Sequence, residues 1–161
     1  MSAALTLRFA RLSAERHRFE YRRADGSGEA VEAETAVLIH DLLHYAVESE
    51  AGLRGSFYGI LDKIGGYEEL SVTGGAALGG EIAITDRVVG AIAEAMAEEG
   101  LDDEAFVATV SENLTLYGER NPRWLTPALI LTARRRMRTL RARWEATPVG
   151  AALELEFPPS S

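Results

Sequence analysis

Cysteine is absent from this sequence of 161 residues. That absence excludes disulfides, zinc sites built on thiolates, iron–sulfur ligation by cysteine and cysteine nucleophiles. A signal peptide is not indicated either, because Arg8 and Arg11 interrupt the first segment before a long apolar stretch develops. We therefore expect a cytoplasmic protein.

Long apolar runs and an excess of positive charge are also missing. No window approaches the roughly 18 apolar residues of a membrane-spanning helix, so no membrane partner is expected. The chain carries 17 Lys and Arg against 25 Asp and Glu, a net charge of −8. Because phosphate binding depends on cationic surface, a nucleic-acid partner is not expected. The G-x-S-x-G sequence of many serine hydrolases is missing as well.

The composition that remains is ordinary for a globular protein, with 47% hydrophobic and 26% charged residues. The length suits one domain with its own core. No internal repeat and no composition shift marks a boundary between domains. We therefore interpret residues 1–161 as a single α+β domain.

The first part of the chain, residues 1–35, has the two-residue periodicity of half-buried strands. Apolar and polar residues alternate over 5–11, 16–23 and 29–34. Between the last two segments, Asp-Gly-Ser-Gly at 25–28 is typical of a hairpin turn. The pattern predicts a three-stranded antiparallel meander with one apolar face.

Residues 36–51 are too long and too apolar for a fourth strand. We predict a helix here, with Thr35 as its N-cap and Gly52 as its stop. Apolar side chains cover most of its circumference, which is typical of a central helix. We therefore place this helix across the inner face of the meander, with the other helices on its far side.

The rest of the chain predicts a helical set and a short final strand. Residues 52–81 form a glycine-rich connection with a short helix near 56–64, and residues 148–161 form a tail whose strand can join the meander edge. In residues 82–147 we predict helices over 84–99, over 103–117, and from about 122 or 127 to about 146. The Thr73–Gly80 segment lacks the G-K-[ST] of a P-loop, so we interpret it as a mobile loop.

The clearest candidate for chemistry is His40-Asp41-Leu42-Leu43-His44. Histidines four residues apart on a helix can bind one metal ion, as in the H-E-x-x-H helix of zinc proteases. Here aspartate replaces the glutamate and is one methylene shorter, which weakens a protease interpretation. If the protein is metal-dependent, Asp41 is the candidate catalytic residue, either orienting a ligand or acting as a base.

A third ligand has to come from elsewhere in the fold. Glu48 lies one helical turn beyond His44 and can share an ion with it. His17 points to the same face of its strand as Phe19, towards the predicted central helix. A site of three histidines with an open position suits zinc and a bound water. The alternative is that these histidines are hydrogen-bonded core residues, with Asp41 or Glu48 orienting a ring.

Arginines crowd the last predicted helix, at positions 134, 135, 136, 138, 141 and 143. Helices of this kind can bind phosphate groups or anionic lipids. The overall negative charge favours instead a solvated face whose arginines pair with the acidic residues between 94 and 104.

A resemblance accompanies these patterns. The run from Arg22 to Gly59, and within it the segment H-D-L-x-H-[YF]-x-V-E at 40–48, resembles a small family of uncharacterised bacterial proteins. The resemblance covers about the first third of the chain. It implies a bacterial, cytoplasmic origin and no particular activity.

Two functions of different classes follow from the sequence. The first is a non-catalytic protein that serves as an interaction module, such as a homodimer that pairs through the arginine-bearing helix or the sheet edge. The alternative is a divalent-metal-binding, hydrolase-like protein that uses His40 and His44, with His17 or Glu48 as a further ligand. Zinc is the one cofactor that the sequence suggests.

Overall fold

A computed structural model describes residues 5–63 and 80–159. This part of the chain contains four strands: β1 (Leu5–Arg11), β2 (Arg16–Arg22), β3 (Gly28–Glu34) and β4 (Ala152–Phe157). It also contains five helices: α1 (Thr35–Ala51), α2 (Phe57–Lys63), α3 (Gly80–Met96), α4 (Asp103–Leu116) and α5 (Pro127–Glu145). The α+β class predicted from the sequence is confirmed.

The strands form one antiparallel sheet in the order β3-β2-β1-β4. The predicted meander is present, and the final strand joins its β1 edge. Leu7 pairs with Tyr21 on β2 and with Leu155 on β4, and all three side chains are buried. The two-residue periodicity therefore places the apolar side chains of three strands on one face.

The opposite face of the sheet carries charges that pair across strands. Arg8 lies between Glu20 and Glu154, with nitrogen–oxygen distances of 4.0 and 3.6 Å. These side chains are at least partly exposed, and such pairs contribute at most about 1 kcal/mol each. This face is consequently solvated, and the core lies on the other side of the sheet.

Helix α1 is central, as its all-round apolar pattern predicts. It packs on β2 and β3 and also contacts α3 and α5. Every residue from Leu42 to Glu48 is buried, so this part of the helix has no exposed side. Gly52 ends the helix in the left-handed region at φ 69°, where its N–H donates to the Glu48 carbonyl.

One prediction about α1 is wrong. Glu34, not Thr35, is the N-cap residue, and its side chain makes no capping hydrogen bond. Strand β3 runs straight into the helix, so the extended backbone ends at Glu34. Thr35 is already helical, and its N–H donates to the Glu15 carbonyl while its hydroxyl donates to the Ala14 carbonyl.

The helix boundaries of the second half agree with the predictions except in α3. This helix begins at Gly80 and ends at Met96, about four and three residues earlier than predicted. Asp102 caps α4 by accepting from the Ala105 N–H. Thr126 caps α5, which decides between the two predicted starts in favour of Pro127. Of the predicted mobile loop at 73–80, residues 73–79 lie outside the described residues, and Gly80 is already the first residue of α3.

Helix α1 brings its histidine-bearing surface to α3. No helix in the described ranges is long and apolar enough to cross a membrane.

Candidate metal centre

His40 and His44 lie one turn apart on α1, with ring centroids 4.8 Å apart. Both face Asp86 on α3. The Nε2 atom of His44 is 3.3 Å from Oδ1 of Asp86, and Nε2 of His40 is 3.6 Å from the same oxygen. Within residues 5–63 and 80–159, this is the one group of three or more such side chains whose ligand atoms all lie within 4.8 Å of one another.

The three side chains differ in exposure. The side chain of His44 is 5% exposed, whereas those of Asp86 and His40 are 37% and 47% exposed. His44 therefore forms the floor of the group, and the other two form a rim that solvent reaches. An ion bound here can be approached from the side of His40 and Asp86.

Glu48 holds His44 from behind. Its carboxylate is completely buried, and its Oε2 atom is 2.8 Å from Nδ1 of His44. Its Oε1 atom accepts a hydrogen bond from the Tyr58 N–H at 2.9 Å. If Nδ1 donates to Glu48, Nε2 is the nitrogen that faces Asp86, and it can bind a metal ion once its own proton is displaced. Glu48, predicted as a ligand, is thus placed to orient one.

The electrostatics of the group centre on His44. Burial lowers the pKa of His44, but hydrogen bonds to Asp86 and Glu48 and the charges of Glu48 and Asp41 outweigh it and raise this pKa to about 9. Hydrogen bonds to His40 and His44 hold the pKa of Asp86 well below its usual range. The surrounding carboxylates therefore favour a positive charge at this position, and a metal ion has to displace a proton to bind His44.

Asp41, the candidate base, is nearly buried and lies outside the group of ligand atoms. Its backbone carbonyl accepts a hydrogen bond from the Tyr58 hydroxyl at 2.7 Å. Its charge acts on His44, as the raised pKa of that imidazole reflects. A catalytic role for Asp41 stays a prediction.

The structure does not bring His17 to the other two histidines. Its ring points inward from β2, as predicted, but lies 6.3 Å from the rings of Phe9 and Trp144. This part of the inner face is covered by the C-terminal end of α5, which carries Trp144. His17 is fully buried, and neither ring nitrogen has a hydrogen-bond partner among the described residues.

Sequence reasoning missed Asp86. It is one of many carboxylates in the second half of the chain, and no spacing relates it to histidines more than forty residues earlier. Helix α3 carries two further carboxylates, Glu81 and Glu94, so the sequence of the helix does not single out Asp86. To identify Asp86 as a ligand, one has to know which face of α3 packs against α1.

The arginines of α5 make contacts within the chain. Arg134 pairs with Asp103 at 3.2 Å, Arg136 with Glu50 at 3.6 Å, and Arg141 with Glu145 at 3.6 Å. Arg134 is also buried against the ring of Phe106. Only Asp103 belongs to the predicted acidic partners, because α1 and α5 themselves supply the other two carboxylates. These arginines help to attach α5 to α4 and α1.

Comparisons with protein-family models, curated proteins and solved structures found no match to the chain. The resemblance of the 40–48 segment to a bacterial family therefore stays a prediction.

Proposed function

We propose that this protein binds a divalent transition-metal ion, with His40, His44 and Asp86 as its ligands. The observation that carries the proposal is the convergence of two imidazoles from α1 and one carboxylate from α3 within 4.8 Å. The buried Glu48 supports it by bonding the far nitrogen of His44 at 2.8 Å. A carboxylate behind a ligating histidine is the usual arrangement in metal sites.

The donor set indicates the class of metal. Imidazole and carboxylate suit zinc, iron and cobalt, whereas magnesium and calcium prefer oxygen ligands alone. Tetrahedral bonds of about 2.0–2.1 Å place ligand atoms about 3.3 Å apart. The separations of 3.3 and 3.6 Å from Asp86 are close to that value. Zinc is the ion we propose first.

We also propose that the metal site supports a hydrolase-like activity. Three protein ligands leave a position for a water molecule, whose pKa a zinc ion lowers towards neutrality. Asp41 is the acidic residue we propose for proton transfer or for orienting the site.

The decisive experiment measures zinc binding by the purified, untagged protein with calorimetry and elemental mass spectrometry. We expect one ion per chain, lost in His44→Ala and Asp86→Asn. His17→Phe is the matched control, because it removes a histidine that lies outside the group. Binding that survives both ligand substitutions, or that is lost equally in the control, would refute the site.

If the experiment detects no metal binding, the result would favour the other function expected from the sequence. We would then propose a cytoplasmic, non-catalytic interaction module, with homodimerisation through the α5 arginines or the sheet edge as the first contact to test. The pairing of Arg134, Arg136 and Arg141 within the chain weakens the version that uses α5. Sedimentation of the protein would measure its oligomeric state directly.

A further inference from the structure

Resting on the proposed metal site, we propose that metal binding is coupled to the docking of helix α2 on α1. A bound ion stabilises α2 against local opening, and the docked helix in turn strengthens metal binding. The residues that carry this coupling are Ser56, Phe57 and Tyr58, none of which belongs to the metal-binding group.

Tyr58 connects α2 to the metal-binding group through Glu48. The Tyr58 N–H donates to Oε1 of Glu48 at 2.9 Å, and Oε2 of the same carboxylate is 2.8 Å from Nδ1 of His44. The Tyr58 hydroxyl also donates to the Asp41 carbonyl of α1 at 2.7 Å. All four residues are buried. The docked helix therefore fixes the carboxylate that in turn holds His44.

The two preceding residues contact other sides of the group. The rings of Phe57 and His44 lie 5.7 Å apart between centroids, and both residues are buried. The Ser56 hydroxyl lies 2.7 Å from that of Thr85, the residue before Asp86 on α3. The start of α2 thus contacts one ligand, the carboxylate behind that ligand, and the chain neighbour of a second ligand.

Helix α2 depends on such contacts because it is short. It has seven residues, and isolated helices of that length are not stable in water. Its backbone hydrogen bonds therefore break when α2 separates from α1. The exchange of its amide hydrogens with solvent consequently reports how often the helix opens.

The size of the coupling follows from the position of Glu48. When α2 separates from α1, Glu48 loses the N–H donor that fixes its carboxylate beside His44. Loss of a carboxylate contact to a ligating histidine weakens metal binding about 10–100-fold. Because linkage is reciprocal, the ion stabilises the docked helix by the same factor by which docking strengthens binding. We expect about tenfold, the low end of that range, because Glu48 stays on α1 when α2 opens.

Hydrogen exchange of the full chain, followed by mass spectrometry, tests the coupling. Exchange is compared in saturating zinc and in zinc-free buffer, without denaturant, so that local openings dominate. We expect the amide hydrogens of α2 to exchange about tenfold more slowly with zinc. Edge strand β3 is the internal control, since it is mostly exposed and carries no residue of the metal-binding group. Its exchange should change by less than about twofold.

A pair of variants tests the route through Glu48. In Glu48→Gln, with the zinc concentration raised until binding is again saturated, we expect zinc to slow the exchange of α2 by less than about threefold. Glu50→Gln is the matched control, since Glu50 lies on the same helix but pairs with Arg136 of α5. It should keep the tenfold effect of the unmodified protein. If Glu48→Gln does not fold, the comparison of α2 with β3 in the unmodified protein still decides whether the coupling exists.

Calorimetry on the same samples separates this inference from the proposed function. Zinc that binds without slowing the exchange of α2, or that slows α2 and β3 equally, would overturn the coupling and leave metal binding intact. Full slowing in saturated Glu48→Gln would overturn the route through Glu48. A protein that binds no zinc would overturn both proposals.

Discussion

We expect acid to destabilise this protein through His17, the buried histidine of strand β2. It is fully buried between Phe9 and Trp144, and neither nitrogen has a hydrogen-bond partner among the described residues. Burial, with a smaller contribution from the Arg16 charge, lowers its pKa from 6.5 to about 4, and the nearby backbone of β3 opposes this only in part. Protonation in the folded state is therefore costly.

The sign of the pH effect follows from which state binds the proton. Above the unfolded pKa of 6.5, His17 is neutral in both states and costs nothing. As the pH falls from 6.5 towards 4, the unfolded chain takes up a proton that the folded chain refuses, so stability is lost. The free energy of unfolding falls by about 2 kcal/mol by about pH 5, and by about 3 kcal/mol by the time the pH reaches about 4.

Urea unfolding of wild-type protein and His17→Phe at neutral pH and at about pH 5 measures this contribution. Phenylalanine keeps an aromatic ring between Phe9 and Trp144 but cannot titrate. We expect the variant to lose about 2 kcal/mol less than the wild type on acidification. Because other groups titrate equally in both proteins, the difference isolates His17. Parallel loss of stability in the two proteins would refute the argument.

Three further predictions concern the site and its surroundings. Glu48→Gln should weaken zinc binding about 10–100-fold, because it removes the charge that orients His44, and calorimetry would measure it. A saturating zinc concentration, about a thousand times its dissociation constant, should raise the free energy of unfolding by about 4 kcal/mol, and an unchanged melting temperature would contradict this. Gly59→Ala should destabilise the folded protein by about 1–3 kcal/mol, since the added Cβ would overlap the Arg54 carbonyl. Gly90→Ala, whose added Cβ has no neighbour closer than 3.6 Å, should leave stability unchanged or raise it, and urea titrations of both variants would measure this.

Much of the fold could be predicted because it depends on local patterns. Two-residue alternation identified the strands, and the uninterrupted apolar surface of α1 placed that helix at the centre. Caps at Asp102 and Thr126 set the starts of two helices, and Gly52 the end of another. The capping of α1 was mispredicted because strand and helix are joined without a loop, which a search for capping residues does not detect.

The candidate site also combines features that follow from local sequence patterns with features that depend on tertiary packing. Helical periodicity is enough to place His40 and His44 on one surface, since four residues make about one turn. Three other features of the site depend on tertiary packing: Asp86 completes the group, Glu48 bonds the other nitrogen of His44, and His17 lies elsewhere. Those outcomes depend on how α1 is rotated between the sheet and α3. That rotation is set by packing between residues far apart in the chain, which periodicity along one helix does not encode.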